Sequence, residues 1–456
     1  MIAKIQRTGH LDGFTFGARY DLCMSYFQKF QCMFRVKPPM ETPSDCSMSV
    51  TMSVNYPGLS KTGNRAAGKH DAQKIQTLCN KTDNDMFQML DPETLEPIGI
   101  THQTTLHPDL TGPLSATHAQ HDPVTGDVYN YNLDFGKSAV KYRVFHVSAS
   151  TGKTDVLASF PADPAYLHSL FMTENYVVLS VWNAVYTYGG MSIVWNKTLA
   201  ESIAPYDEKR TCKWYVVDRK PVAEGGRGLV AVYESEGFFS FHSINAYEEV
   251  NSNGDIDIVA DVVTYPNLDI INRLYIDNLL STSPEAEASA QLESCMASLK
   301  RFSLPSVPPT GIHHASTQSK RPTYLQASTL FTLPPSLTPE LPTTSPLVPT
   351  QKHKYIYGVV HSGKSSLFES LVKLNVQDQT AIYWQEHGHT AGEPIFVPNP
   401  DGDGSEDDGV LLTVVLDGPE GKSYLLVLDA KDLREMGRAH VDGVVGFGFH
   451  GTFVGV

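Results

Sequence analysis

The chain has 456 residues, of which 41% are hydrophobic, 10% aromatic and 19% charged, a composition that can bury a large core and excludes global disorder. Its formal charge of -15, with no Lys/Arg cluster to interrupt it, repels phosphate backbones and anionic lipid faces and argues against nucleic acid as a partner. Six cysteines without CxxC spacing, a start (Met1-Ile2-Ala3-Lys4) that leads into no apolar run, and apolar stretches of strand length only are read as a reducing, cytoplasmic setting, with peripheral membrane contact left open.

In chain order, short β-rich runs recur around polar turns, and four of them look alike: MLDPETLEP at 89–97, HVSASTGKT at 146–154, KLNVQDQT at 373–380 and VLDAKDLR at 427–434. Strand, polar turn, strand, repeated at long irregular intervals, is how the blades of a β-propeller read, with a β-sandwich or several small β domains as the competing all-β architectures. Between the second and third of these, 176–179 and 228–232 are strand-like apolar runs, and 284–300, rich in Glu, Ala, Leu and Ser, reads as a helix stopped at Leu304-Pro305. The Pro/Ser/Thr-crowded stretch 303–349 is expected to be an insertion loop, and the whole of 1–456 to form one propeller domain around it. The acidic run at 401–409 lacks EF-hand spacing and is expected to be a solvated turn rather than a calcium loop.

Seventeen histidines are too many for composition to choose ligands, so local context must. Four histidines sit in distinctive surroundings: His118 in ATHAQHDPVTGD (116–127), His168 in LHSLFMTENY (167–176), His242 in FHSINAYEE (241–249) and His450 in GFHGTF (448–453). These segments resemble, in the same order, the AHPxxDPxTGE, HDFxxTEN, FHxxNAYE and GFHG segments of the carotenoid cleavage oxygenase family. The likeness selects His118 over His121 and puts Ser169 where Asp is usual. It runs from Gly9-His10-Leu11-Asp12-Gly13-Phe14, similar to HWFDG, to the last residue, with 303–349 as the main exception.

The resemblance implies a seven-bladed propeller with a loop and helix cap over an iron face, and an iron(II) cofactor held by His118, His168, His242 and His450. Four neutral imidazoles leave the ion's charge at +2 and coordination positions free for O2, although zinc also accepts histidines. Three acids match the family's carboxylates behind the ligands: Glu393 in GEPIFVP, Glu340 in ELPTTSP, and Asp83, where the family normally has Glu. Since Asp is one methylene shorter, on an unchanged backbone its carboxylate is expected to fall short of the imidazole by about 1.3 to 1.5 Å, unless the strand moves inward or a water bridges the gap; either way it is expected to be the weakest of the three, with Asp83→Glu tolerated or raising iron affinity.

Stilbene-cleaving members carry Lys just before this acid. Here that position is Thr82, with Lys81 one residue away and expected to face elsewhere, so a polyene is favoured over a phenolic stilbene. The expected activity is oxidative cleavage of a conjugated C=C bond of a carotenoid or apocarotenoid, similar to that of fungal torulene- and carotene-cleaving members, to aldehydes. The alternatives are a stilbene cleaver, an O2-independent retinoid isomerase, and a propeller that binds apolar ligands without catalysis. The last is suggested by the HWFDG-like segment standing almost at Met1, as if the N-terminal portion were shortened.

Overall fold

The computed structural model describes residues 50–454 except 69–73, 137–138, 195, 197–198, 276–277, 280–283, 285–291, 310–323 and 362–367. These residues form six antiparallel sheets that follow one another along the chain. Blade I comprises Thr51–Val54, Leu78–Lys81, Met86–Leu90 and Pro97–His102, and blade II Gln120–His121, Val128–Asp134, Lys141–Val147 and Thr154–Phe160. Blade III comprises Phe171–Met172, Tyr176–Val181, Cys212–Asp218 and Leu229–Ser235, with Leu325–Gln326 added in parallel at its rim. Blade IV holds Ser243–Val250, Ile256–Thr264, Ser298–Val307 and Ser328–Leu333, and blade V holds Glu340–Thr343, Tyr355–Val360, Ser370–Asn375 and Thr380–Trp384. In blade VI the first strand is broken into His389–Ala391 and Ile395–Pro398, which both pair with Gly409–Asp417, followed by Lys422–Asp429 and Glu435–Val441.

The architecture is a β-propeller, with six blades among the described residues where seven were expected. The HWFDG-like segment at 9–14 lies outside those residues. Neighbouring blades share apolar cores. Phe87 and Met89 of blade I meet Val128 and Phe145 of blade II, a large cluster joins blades II to IV through Tyr142, Phe171, Trp214 and Phe302, and Tyr357 of blade V packs with Leu411 and Leu426 of blade VI. Inner strands such as Tyr176–Val181 and Cys212–Asp218 thus bury both faces and read as largely apolar runs, while outer strands such as Thr380–Trp384 and Glu435–Val441 stay mostly exposed.

The four look-alike turns all join the third and fourth strands of a blade, in blades I, II, V and VI. Each places a left-handed residue four positions after its first polar residue: Leu95 (φ 57°), Gly152 (φ 66°), Gln379 (φ 55°) and Leu433 (φ 58°). In three of them the turn is closed by Asp91, Asn375 or Asp429, whose Oδ1 accepts backbone N–H bonds from inside the loop.

Two expectations fail. Ser298–Val307 is a strand paired on both sides, so 284–300 is not a helix to its end, and Pro305 stops nothing because it lies in the register break between Leu304 and Val307. The stretch 303–349 is not one insertion loop, since it supplies strands to blades III, IV and V. Its proline and serine content reflects short strands and tight connections; 310–323 lies outside the described residues.

Antiparallel alternation has a consequence for function. The start of each first strand, the connection from second to third strand, and the end of the fourth all fall on one edge of the propeller, opposite the look-alike turns. The longest connections, 182–211 in blade III and 265–297 in blade IV, lie on that edge and carry the helical turns Thr187–Val194 and Asp269–Arg273.

Candidate metal centre

His118, His168 and His242 stand just before the first strands of blades II, III and IV, on the edge just defined. Adjacent inner segments are stitched together: His118 N–H donates to His168 O (3.2 Å), Ser169 Oγ donates to Phe241 O (2.8 Å), and Ser243 N–H donates to Ser169 Oγ (2.8 Å). Ser169, which departs from the usual Asp, is therefore a joint between blades III and IV. His450 arrives from the C-terminal segment, which is anchored in the broken strand of blade VI by Glu393 N–H donating to Gly448 O (3.1 Å).

The four imidazoles converge, each offering one nitrogen within 4.8 Å of the others. His118 Nε2 and His450 Nε2 are 3.1 Å apart, and His242 Nε2 is buried with no hydrogen-bond partner. With these nitrogens all within 4.8 Å of one another, His118, His168, His242 and His450 could hold one ion between them. His121, the alternative in the same segment, is outside the cluster, its ring edge-on to Tyr56 at 6.3 Å.

Three of the rings are held from behind. His168 Nδ1 lies 2.8 and 3.0 Å from the two oxygens of Asp83, His242 Nδ1 lies 2.7 Å from Glu340 Oε2, and His450 Nδ1 lies 3.0 Å from Glu393 Oε1. A carboxylate facing Nδ1 fixes the proton there and turns the Nε2 lone pair inward. Of the inward nitrogens, His242 Nε2 is buried with no hydrogen-bond partner, an orphaned lone pair that a cation would satisfy, and this fits a metal. Burial first, and then the neighbouring imidazoles of His450, His168 and His242, keep His118 well below the usual histidine range, so its lone pair is also available.

Asp83 does not fall short. It comes from the connection between the second and third strands of blade I, whose approach makes up for the missing methylene. Thr117 N–H donates to its Oδ1 (3.2 Å) and Tyr166 Oη to its Oδ2 (2.9 Å). Glu340 is similarly enclosed: Tyr265 Oη donates to Oε1 (2.6 Å) and Leu341 N–H to Oε2 (2.8 Å), the latter from a left-handed residue (φ 47°). Burial would raise Glu340, but the bonds from His242, Tyr265 and Leu341 outweigh it and hold the carboxyl below its usual range. Glu393 accepts from Gly451 N–H at 2.8 Å. The two tyrosines were not anticipated from sequence, and neither stands near its carboxylate along the chain.

Thr82 is half-buried and makes no hydrogen bond to these groups among the described residues. It is Lys81, 5% exposed, whose charge is felt at His118 and His121, and burial lowers its amine to about 8. The remaining signature residues are structural. Glu248 of the FHSINAYEE segment accepts from Thr173 Oγ1 (2.6 Å) and from Asn175 N and Nδ2 (2.7 and 2.9 Å), clasping blade IV to the first hairpin of blade III. In the acidic run, Glu406 accepts from Lys354 and Tyr355 N–H while Asp407 pairs with Lys373 Nζ at 2.6 Å, a latch between blades V and VI rather than a merely solvated turn.

Residues 28–455 match the family described as Retinal pigment epithelial membrane protein, RPE65. The chain is 37% identical to a carotenoid dioxygenase of Neurospora crassa, covering 100% of this chain and 77% of that protein, and 36% identical to the torulene dioxygenase of Fusarium fujikuroi (99% and 78%). Its fold is similar to that of cobalt-substituted Synechocystis ACO (TM-score 0.60, 19% identity, covering 88% of this chain and 80% of that one). It is also similar to an ACO/RPE65 chimera (TM-score 0.59, 18% identity, 81% and 71%).

Proposed function

The chain belongs to the RPE65/carotenoid oxygenase family, and on that premise we propose that it is an iron(II) dioxygenase that cleaves a conjugated double bond of a carotenoid or apocarotenoid to aldehydes. The observation that carries the reading is the set of four convergent imidazoles, three of them turned inward by carboxylates. His118, His168, His242 and His450 would hold the ion, which when bound supplies the activation of O2. Asp83, Glu340 and Glu393 keep Nδ1 protonated and the rings oriented. No side chain has to act as nucleophile or general acid, because the electrons for oxygen reduction come from the alkene that is split.

The proposal is tested by loading the protein anaerobically with iron(II), adding a panel of apocarotenals and torulene-like polyenes, and following O2 uptake and aldehyde formation together. Aldehyde formation that requires both iron and O2 supports it. Iron-loaded protein that converts the polyenes equally well without O2 contradicts it.

A further inference from the structure

The three histidine–carboxylate pairs are built differently. Glu393 has a backbone donor, Glu340 has a backbone donor and Tyr265, and Asp83 has a backbone donor and Tyr166, whose hydroxyl alone reaches both members of its pair. Tyr166 Oη lies 2.9 Å from Asp83 Oδ2 and 3.2 Å from His168 Nδ1. The phenol cannot drift, because Trp182 Nε1–H donates to Tyr166 O (2.7 Å), Tyr166 N–H donates to Ala184 O (2.9 Å), and its ring packs against Phe239 and Phe241. Asp83 already meets the imidazole at 2.8 Å, so one more methylene, about 1.3 to 1.5 Å, would press the carboxylate into the ring or the phenol.

We propose that Tyr166 is a positioning residue matched to the short carboxylate of Asp83: its hydroxyl fills the place a glutamate oxygen would take and holds the carboxylate square to His168. The inference rests on the reading of the four histidines as metal ligands. The Asp83 carboxylate can turn about its Cα–Cβ and Cβ–Cγ bonds, and without Tyr166 the Thr117 N–H would be the one remaining donor besides the imidazole itself to oppose that turning among the described residues. The imidazole would then lose its fixed partner, a loss that typically costs about 10- to 100-fold in metal affinity. Asp83 and Tyr166 therefore form a unit in which changing one member is harmful and changing both restores space and reach.

The test loads wild type, Tyr166→Phe, Asp83→Glu, the double variant and Tyr265→Phe with cobalt(II) alone. It measures the half-life of cobalt release to excess chelator, the visible spectrum, and the unfolding temperature of each. Tyr166→Phe and Asp83→Glu should each release cobalt about tenfold faster. The double variant should be slower than either single one, and a control protein that combines Tyr265→Phe with Asp83→Glu should show no such rescue. A double variant as fast as the product of the two single effects overturns the matching, as does a Tyr166→Phe protein indistinguishable from wild type in release and spectrum. Should Asp83→Glu fail to fold, the Tyr166→Phe comparison still decides the matter. Wild type that retains no cobalt overturns the reading of the site and this inference with it, whereas firm retention with purely additive variants overturns this inference alone.

Discussion

Lys81 shows what a single buried charge does near such a centre. The residue is 5% exposed, its amine stands 5.8 Å from the centre of the Tyr56 ring, its charge is felt at His118 and His121, and burial, which disfavours the charged form, lowers the amine from 10.5 to about 8. A lysine that titrates lower in the fold than in the unfolded chain penalises folding in full below about pH 8, and the penalty fades as the pH rises toward 10.5. Replacing Lys81 by Met in the metal-free protein should therefore stabilise it by on the order of 3 kcal/mol at pH 7, with the gain shrinking by pH 10, as read from unfolding temperatures across that range. Equal stability of the two proteins at pH 7 would contradict the burial of the charge. Asp83 gives a second prediction. With direct bonds to His168, Tyr166 and Thr117, Asp83→Asn should strip metal at least as completely as Glu393→Gln, measured as occupancy after chelator challenge. Markedly better retention by Asp83→Asn would restore the weaker role expected from its length. At this scale the four converging histidines were legible, because each lies in a short distinctive segment. Tyr166 and Tyr265 were not, because they touch carboxylates 83 and 75 residues away in the chain, a proximity that only the fold creates.

At the scale of elements, the recurrent outer turns were legible and the segment from 284 to 349 was not. The turns announce themselves because a polar residue, a short loop and a left-handed position recur together. They also differ in a testable way. Leu95 is 40% exposed at φ 57°, so Leu95→Gly should be neutral or stabilising by up to about 1 kcal/mol, since relief of left-handed strain opposes the entropy glycine costs. Leu433 has the same φ but is 4% exposed within the core of blades V and VI, and Leu433→Gly should cost about 2 to 5 kcal/mol in chemical unfolding. If the two substitutions have equal effects, the turns are not held as described. The segment 284–349 misled because its composition is set by partners distant in sequence. Ser298–Val307 is held in register by Ile256–Thr264 on one side and Ser328–Leu333 on the other, and neither pairing leaves a periodic trace in the strand itself.

At the scale of the molecule, the blades serve to bring edges together. Successive sheets start with His118, His168, His242 and Glu340, while Asp83 and the C-terminal His450 return to the same place from blades I and VI, so residues spread over more than three hundred positions meet at one point. The family signature was readable because those positions carry both chemistry and blade-to-blade joints, as Ser169 and Glu248 show. Of the seven blades expected, six lie among the described residues. An apolar conjugated substrate is also favoured at this scale, since the relatives at 36–37% identity that span nearly the whole chain are carotenoid and torulene dioxygenases. Apocarotenals or torulene-like polyenes should be turned over with a higher kcat/KM than resveratrol, and a tenfold preference for resveratrol, about 1.4 kcal/mol in transition-state binding, would reverse that ranking. The central claim is that the four histidines make one oxygen-activating iron site, and the most direct measurement is iron content and O2-dependent polyene cleavage of wild type beside His242→Ala, both purified anaerobically. Wild type should carry about one iron per chain, with His242→Ala losing both iron and activity while keeping its fold; a His242→Ala protein with full iron and full turnover would contradict the account.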